Sequence, residues 1–141
     1  MSSLPPAPGS GAPGAGVRGV GIDAVDIDRL RRALDRRPRL AERLFTDGER
    51  AYAERAADPG ARLAARFAAK EALAKALGVG IGAVSWREVE VVHDAAGAPE
   101  LSLLGRTAAL AAELGVRRCF LSLSHTSTLA LATVVAEGAG A

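Results

Sequence analysis

Hydrophobic positions along the chain change period several times, and each change marks an element. Val17, Val20 and Ile22 lead into Asp23, which predicts a short strand over Val17–Ile22. From Asp26 or Asp28 the spacing becomes helical: Ile27, Leu30 and Leu34 share one face, and arginines occupy the others. Pro38 interrupts that helix, and Leu40 and Leu44 carry the apolar stripe past the break. Thr46, followed by Glu49, predicts an N-cap with a capping box for the next helix. Asp58-Pro59-Gly60 reads as the stop signal of that helix. A third helix is predicted from about Ala61 to Leu77, with Leu63, Phe67, Ala74 and Leu77 on one stripe and Gly78 and Gly80 closing it.

Beyond the glycines the pattern turns to strands. Val84 to His93 is rich in β-branched residues, Asp94-Ala95-Ala96-Gly97 is a turn, and Pro99–Leu103 returns as a second strand. Arg106–Leu114 is an alanine-rich helix closed by Gly115. Cys119–Ser124 and Leu129–Val135 read as strands joined through His125-Thr126-Ser127-Thr128. The order β-α-α-α-β-β-α-β-β predicts an α+β fold, a mainly antiparallel sheet packed with helices. A sheet this small leaves apolar faces and edges that self-association would cover.

Composition narrows the picture. The chain has 141 residues, enough for one domain, here placed at 17–137. Residues 1–16 are rich in Pro, Gly, Ser and Ala and carry no charge, which reads as a disordered tail. They lack the basic start and leucine-rich middle of a signal peptide. Cys119 is the only cysteine, so no internal disulfide forms and the expected compartment is the cytoplasm. Its neighbours make it a core residue rather than a reactive thiol. No apolar run reaches the roughly 18–20 residues of a membrane span. Basic and acidic side chains number 18 and 16, yet seven arginines against Asp35 and Glu42 crowd Arg29–Arg43. Low net charge, and the absence of aromatics between those arginines, argue against nucleic acid as the partner.

The densest chemistry lies in Arg66-Phe67-Ala68-Ala69-Lys70-Glu71-Ala72-Leu73-Ala74-Lys75. Glu71 and Lys75 share a helix face, and Arg66 and Lys70 share a neighbouring one. One carboxylate among cations suits a metal ion holding a polyphosphate, with the cations on the phosphate oxygens. A solvated face with one Glu–Lys pair is the plain alternative. Lys70 adjoins Glu71 but is turned about 100° from it, so its direction is open. Upstream, Asp23 and Asp26 stand where a strand gives way to a helix; either could cap that helix or bind a ligand. Neither His93 nor His125 has acidic or cysteine neighbours at zinc spacing, and His93 reads as an exposed strand-end residue.

Four motifs in order carry a resemblance. Gly21-Ile22-Asp23-x-Val25-x-Ile27-x-Arg29, Phe45-Thr46-x-x-Glu49, Arg66-Phe67-Ala68-Ala69-Lys70-Glu71-Ala72-x-x-Lys75-Ala76-x-Gly78 and Ser122-Leu123-Ser124-His125-Thr126 together resemble the holo-acyl-carrier-protein synthases. These are the small bacterial members of the 4′-phosphopantetheinyl transferase superfamily, and the likeness runs from about Gly19 to Val135. It implies that fold and a Mg²⁺-dependent transfer of 4′-phosphopantetheine from coenzyme A to a serine of an apo acyl carrier protein, releasing adenosine 3′,5′-bisphosphate. It implies Asp23 and Glu71 as metal ligands, Lys75 as the phosphate-facing catalytic cation, and Glu71 or a water on the metal as the base. Arg66, Ser124 and His125 join Lys75 as coenzyme A contacts. Arg29, Arg32 and Arg36 become a docking stripe for the acidic carrier. The likeness further implies a homotrimer with coenzyme A between subunits, and a Gly97-Ala98-Pro99 turn reaching a neighbour's pocket. The carrier would belong to fatty acid or polyketide synthesis. Gly78-Val79-Gly80 departs from the usual Gly-Thr-Gly, which removes a hydroxyl near the nucleotide but spares the proposed metal ligands.

Overall fold

Two glycines decide how the sheet meets its main helix. In the computed structural model, which describes residues 16–80 and 82–138, strand β1 (Val17–Asp26) lies directly on helix α4 (Pro59–Leu77). A Cβ at Gly19 would stand 1.9 Å from the carbonyl oxygen of Ala76, and one at Gly21 would stand 1.9 Å from that of Ala72. Glycine on the strand and alanine on the helix are therefore what the contact requires. Residues 1–15 of the expected tail lie outside the described residues.

The sheet is antiparallel in the order β1-β5-β4, with β4 spanning Val116–His125 and β5 Leu129–Gly138. Asp23 stands opposite Ala132 of β5, which stands opposite Leu123 of β4. Between β1 and α4 come α1 (Ile27–Arg36), α2 (Leu40–Leu44) and α3 (Asp47–Glu54). Asp26 caps α1 by accepting from Arg29 N at 2.9 Å, which leaves Asp23 uncommitted to capping. The capping box at Thr46 and Glu49 is present. After α4, a 3₁₀ turn (Trp86–Glu88) leads to a separate hairpin of β2 (Val89–His93) and β3 (Pro99–Leu103), then α5 (Gly105–Glu113).

The core matches the aromatic-poor composition. Ala68, Ala69, Ala72, Leu73 and Ala76 of α4 pack on Ala132, Val134 and Ala136 of β5. A second cluster of Ile27, Leu30, Leu44, Phe45 and Ala64 joins the other helices to the end of the sheet. The opposite face of the sheet has no helix on it among the described residues: Val20 is 60% and Ile22 59% exposed, and Val20 is in register with Val135 and Phe120.

The α+β class and antiparallel pairing are as expected, with three local corrections. The apolar stripe after Pro38 is a helix of its own, so four helices and not three precede β2. Asp58-Pro59-Gly60 opens α4 instead of closing α3: Asp58 accepts from Ala61 N, and Pro59 sits where a missing N–H costs nothing. Val84–Glu88 is not strand, because Glu88 turns away to accept from Arg106 N and Thr107 N and so caps α5.

We predict that Gly21→Ala lowers stability by about 1–3 kcal/mol or more in chemical denaturation, since both neighbours of the new methyl are backbone.

Candidate active site

The uncapped carboxylate of Asp23 meets α4 at Lys75 and Glu71. Lys75 Nζ donates to Asp23 Oδ1 at 3.0 Å and to the backbone oxygen of Ile22 at 2.9 Å. The Asp23 side chain is 19% exposed and Lys75 54%, so this ion pair faces water and stabilises the fold by no more than about 1 kcal/mol. An anionic ligand can take Lys75 from Asp23 at small cost. Glu71 is half-buried, and its proton affinity is raised, first by that burial and then by the charge of Asp23, with Lys75 opposing. The two acids thus feel each other across the β1–α4 contact. Among the described residues no group of three or more acidic, histidine or cysteine side chains is placed to hold a metal ion.

A second group forms elsewhere on the chain. Arg66, Ser124 and His125 line one cavity of about 480 Å³, together with Arg62, Tyr52 and His93. Arg66 is only 2% exposed, and burial lowers its pKa. Its Nη1 donates to the backbone oxygen of Arg62, and its guanidinium carbon lies 4.3 Å from the Tyr52 ring centre. Nε and Nη2 of Arg66 are buried without a hydrogen-bond partner among the described residues. With Arg62 beside it, the Arg66 guanidinium makes this a basic cavity, of the kind that suits an anion. His93 stacks on Tyr52 at 4.6 Å, and burial, then Arg66 and Arg62, hold its pKa down.

The predicted residues therefore fall into two sets. Asp23, Glu71 and Lys75 come together, and so do Arg66, Ser124 and His125, but none of the first three lines the cavity. Arg29, Arg32 and Arg36 are exposed on α1, whereas Arg31 between them is engaged by Asp28 and Asp58. Lys70 is not part of a phosphate-facing ring: it is fully buried in an ion pair with Glu49. Gly97 and Pro99 are among the residues that line the cavity of their own chain. Sequence reasoning missed Tyr52, Arg62 and His93 as cavity walls. The available signal was that the chain's one tyrosine lies in an arginine-rich surrounding.

An acidic pair with a lysine, and a basic cavity, on this scaffold make a site for a multiply anionic ligand. The model of the 4′-phosphopantetheinyl transferase superfamily matches residues 19–134, and the chain belongs to that family. It is similar to the holo-[acyl-carrier-protein] synthase of Salinispora arenicola, 53% identical over 111 residues, covering 77% of this chain and 88% of the relative. The crystal structure of holo-[acyl-carrier-protein] synthase from Neisseria meningitidis superposes with a TM-score of 0.80 at 40% identity, covering 86% of this chain and 99% of that one. The synthase from Bacillus anthracis, solved in complex with CoA (3′,5′-ADP), gives 0.72 at 35% identity, covering 87% and 98%.

Glu71 also sets a pH dependence. The folded state holds its proton more tightly than the unfolded chain, so the contribution of Glu71 to stability is greatest below the usual glutamate value of 4.5 and falls as pH rises through the higher folded value. In chelator, Glu71→Gln is expected to melt above the wild type at neutral pH, with the gap closing on acidification; a gap independent of pH would contradict this origin.

Proposed function

We propose that this protein is the enzyme that transfers 4′-phosphopantetheine from coenzyme A to a serine of an apo acyl carrier protein, releasing adenosine 3′,5′-bisphosphate. The observation that carries this reading is the meeting of Asp23, Glu71 and Lys75 at the β1–α4 contact in a chain of this family. The donor set fits Mg²⁺. Two crowded carboxylates are hard oxygen ligands, and Mg²⁺ is commonly bound through one or two carboxylates plus substrate phosphates. Asp23 and Glu71 would hold the ion, which when bound would neutralise the diphosphate of coenzyme A. Lys75 leaves its weak pairing with Asp23 and takes up charge developing on the departing phosphate. Glu71, or a water on the ion, would receive the serine proton.

The cavity lined by Arg66, Ser124 and His125, with Arg62, accepts the nucleotide end, and its arginines offset the phosphate charge. Asp23, Glu71 and Lys75 do not line this cavity, and in the working site one half would come from each of two neighbouring copies. The bare sheet face around Val20, Ile22 and Phe120 is the surface that a homotrimer covers. Arg29, Arg32 and Arg36 steer the acidic carrier toward this site. The setting is the cytoplasm, with a carrier of fatty acid or polyketide synthesis. No described helix is long and apolar enough to cross a membrane.

Incubation with coenzyme A, Mg²⁺ and apo carrier should add the phosphopantetheine mass to the carrier, read by mass spectrometry. Glu71→Gln should abolish the addition, and Arg29→Glu should raise the apparent KM for carrier most at low salt. No gain with several apo carriers would sink the reading.

The composite site has its own test. Neither Glu71→Gln nor Arg66→Gln chains should work alone, but exchanging subunits between them should restore part of the activity. A mixture that stays inactive after proven exchange rules out sites shared between copies.

A further inference from the structure

The motif Phe45-Thr46-x-x-Glu49 and the residue Lys70 have no part in the reaction described above, yet they form one unit. Lys70 Nζ donates to Glu49 Oε1 at 2.6 Å and to the backbone oxygen of Trp86 at 2.7 Å. The same nitrogen lies 5.5 Å from the centre of the Phe45 ring. Glu49 also accepts from Thr46 N at 3.0 Å through Oε1 and from Val91 N at 2.9 Å through Oε2. Both charged side chains are fully buried. One ion pair thus binds α3, α4, β2 and the turn at Trp86.

Its placement around α4 matters. Ala72 faces β1, where Gly21 touches it. At about 100° per residue, Lys70 points some 200° from Ala72, on the opposite side of the helix. The helix is gripped on two sides, by backbone contact with β1 and by the ion pair. That grip fixes the rotation of α4, and rotation decides whether Glu71 faces Asp23. The same pair holds α3 and β2, which carry Tyr52 and His93, two walls of the basic cavity.

We propose that Lys70 and Glu49, backed by Phe45, form a positioning clamp that sets Glu71 toward Asp23 and holds the cavity walls for coenzyme A. The proposal rests on the transferase reading, and it makes both residues positioning residues that touch no substrate. Simple stabilisation is a poor alternative, because apolar residues of similar volume often replace a buried pair with no loss of stability. What they cannot replace is direction: four hydrogen bonds from fixed points on three elements and a turn.

The test is the double variant Lys70→Met/Glu49→Leu, with Glu49→Gln as a second, nearly isosteric change. Three readouts are taken: the melting curve, the dissociation constant for coenzyme A by calorimetry, and kcat for transfer. The double variant should melt cooperatively near the wild type, bind coenzyme A about tenfold more weakly and lose on the order of 10- to 100-fold in kcat, the scale of a site misplaced by about 1 Å. Glu49→Gln should move both constants in the same direction by less, and it decides the matter if the double variant does not fold. Wild-type affinity and kcat in either folded variant overturns the clamp. Transfer by the wild-type chain tests the enzyme reading separately, because the ratio of dissociation constants is measured without turnover.

Discussion

The approach of β1 to α4 governs the rest of this molecule. Strand and helix backbones touch because Gly19 and Gly21 carry no side chain and because Ala72 and Ala76 offer almost none. A larger residue at any of these points would push the helix outward and carry Glu71 and Lys75 away from Asp23. The small residues that make the contact close also make the core thin. Burial here comes from many alanines, each contributing little, so the fold leans on close packing more than on large apolar side chains.

Such a thin core has a further consequence. One layer of helix covers one face of a three-stranded sheet, and the other face is left with Val20, Ile22 and Phe120 in water. The free face lies beside the strand that carries Asp23, and the strand that carries Ser124 and His125 lies at the far edge of the same sheet. Asp23 belongs to the covered side, in phase with Gly19 and Gly21, so the bare face carries apolar residues while the charged ones gather where the sheet meets α4.

Much of this was legible in the sequence wherever the signal is local. The capping box of Thr46 and Glu49 needs only three residues of spacing. Asp23, Glu71 and Lys75 were found through motifs, although no local rule could tell whether Asp23 or Asp26 would cap α1; the structure gives that task to Asp26. The trio Asp58-Pro59-Gly60 misled because one proline can follow a helix or begin the next, and only the partner of Asp58 distinguishes them. Val84–Glu88 has strand propensity, but Glu88 is drawn to the bare amides of α5, a contact 18 residues away in sequence. The walls Tyr52, Arg62 and His93 stand on three different elements, so no spacing along the chain could have joined them.

Two buried cations on one helix show how burial separates structure from chemistry. Lys70 and Arg66 are four positions apart on α4, and both are almost wholly removed from water. Desolvation depresses the pKa of each. Lys70 recovers that cost internally through Glu49 and Trp86, and nothing is left for a ligand. Arg66 has an aromatic ring and one backbone oxygen, and two of its nitrogens remain unanswered. An unmet buried donor costs about 1–3 kcal/mol, more when charged. Burial on one helix thus leaves one cation fully answered by the fold and the other answered only in part among the described residues.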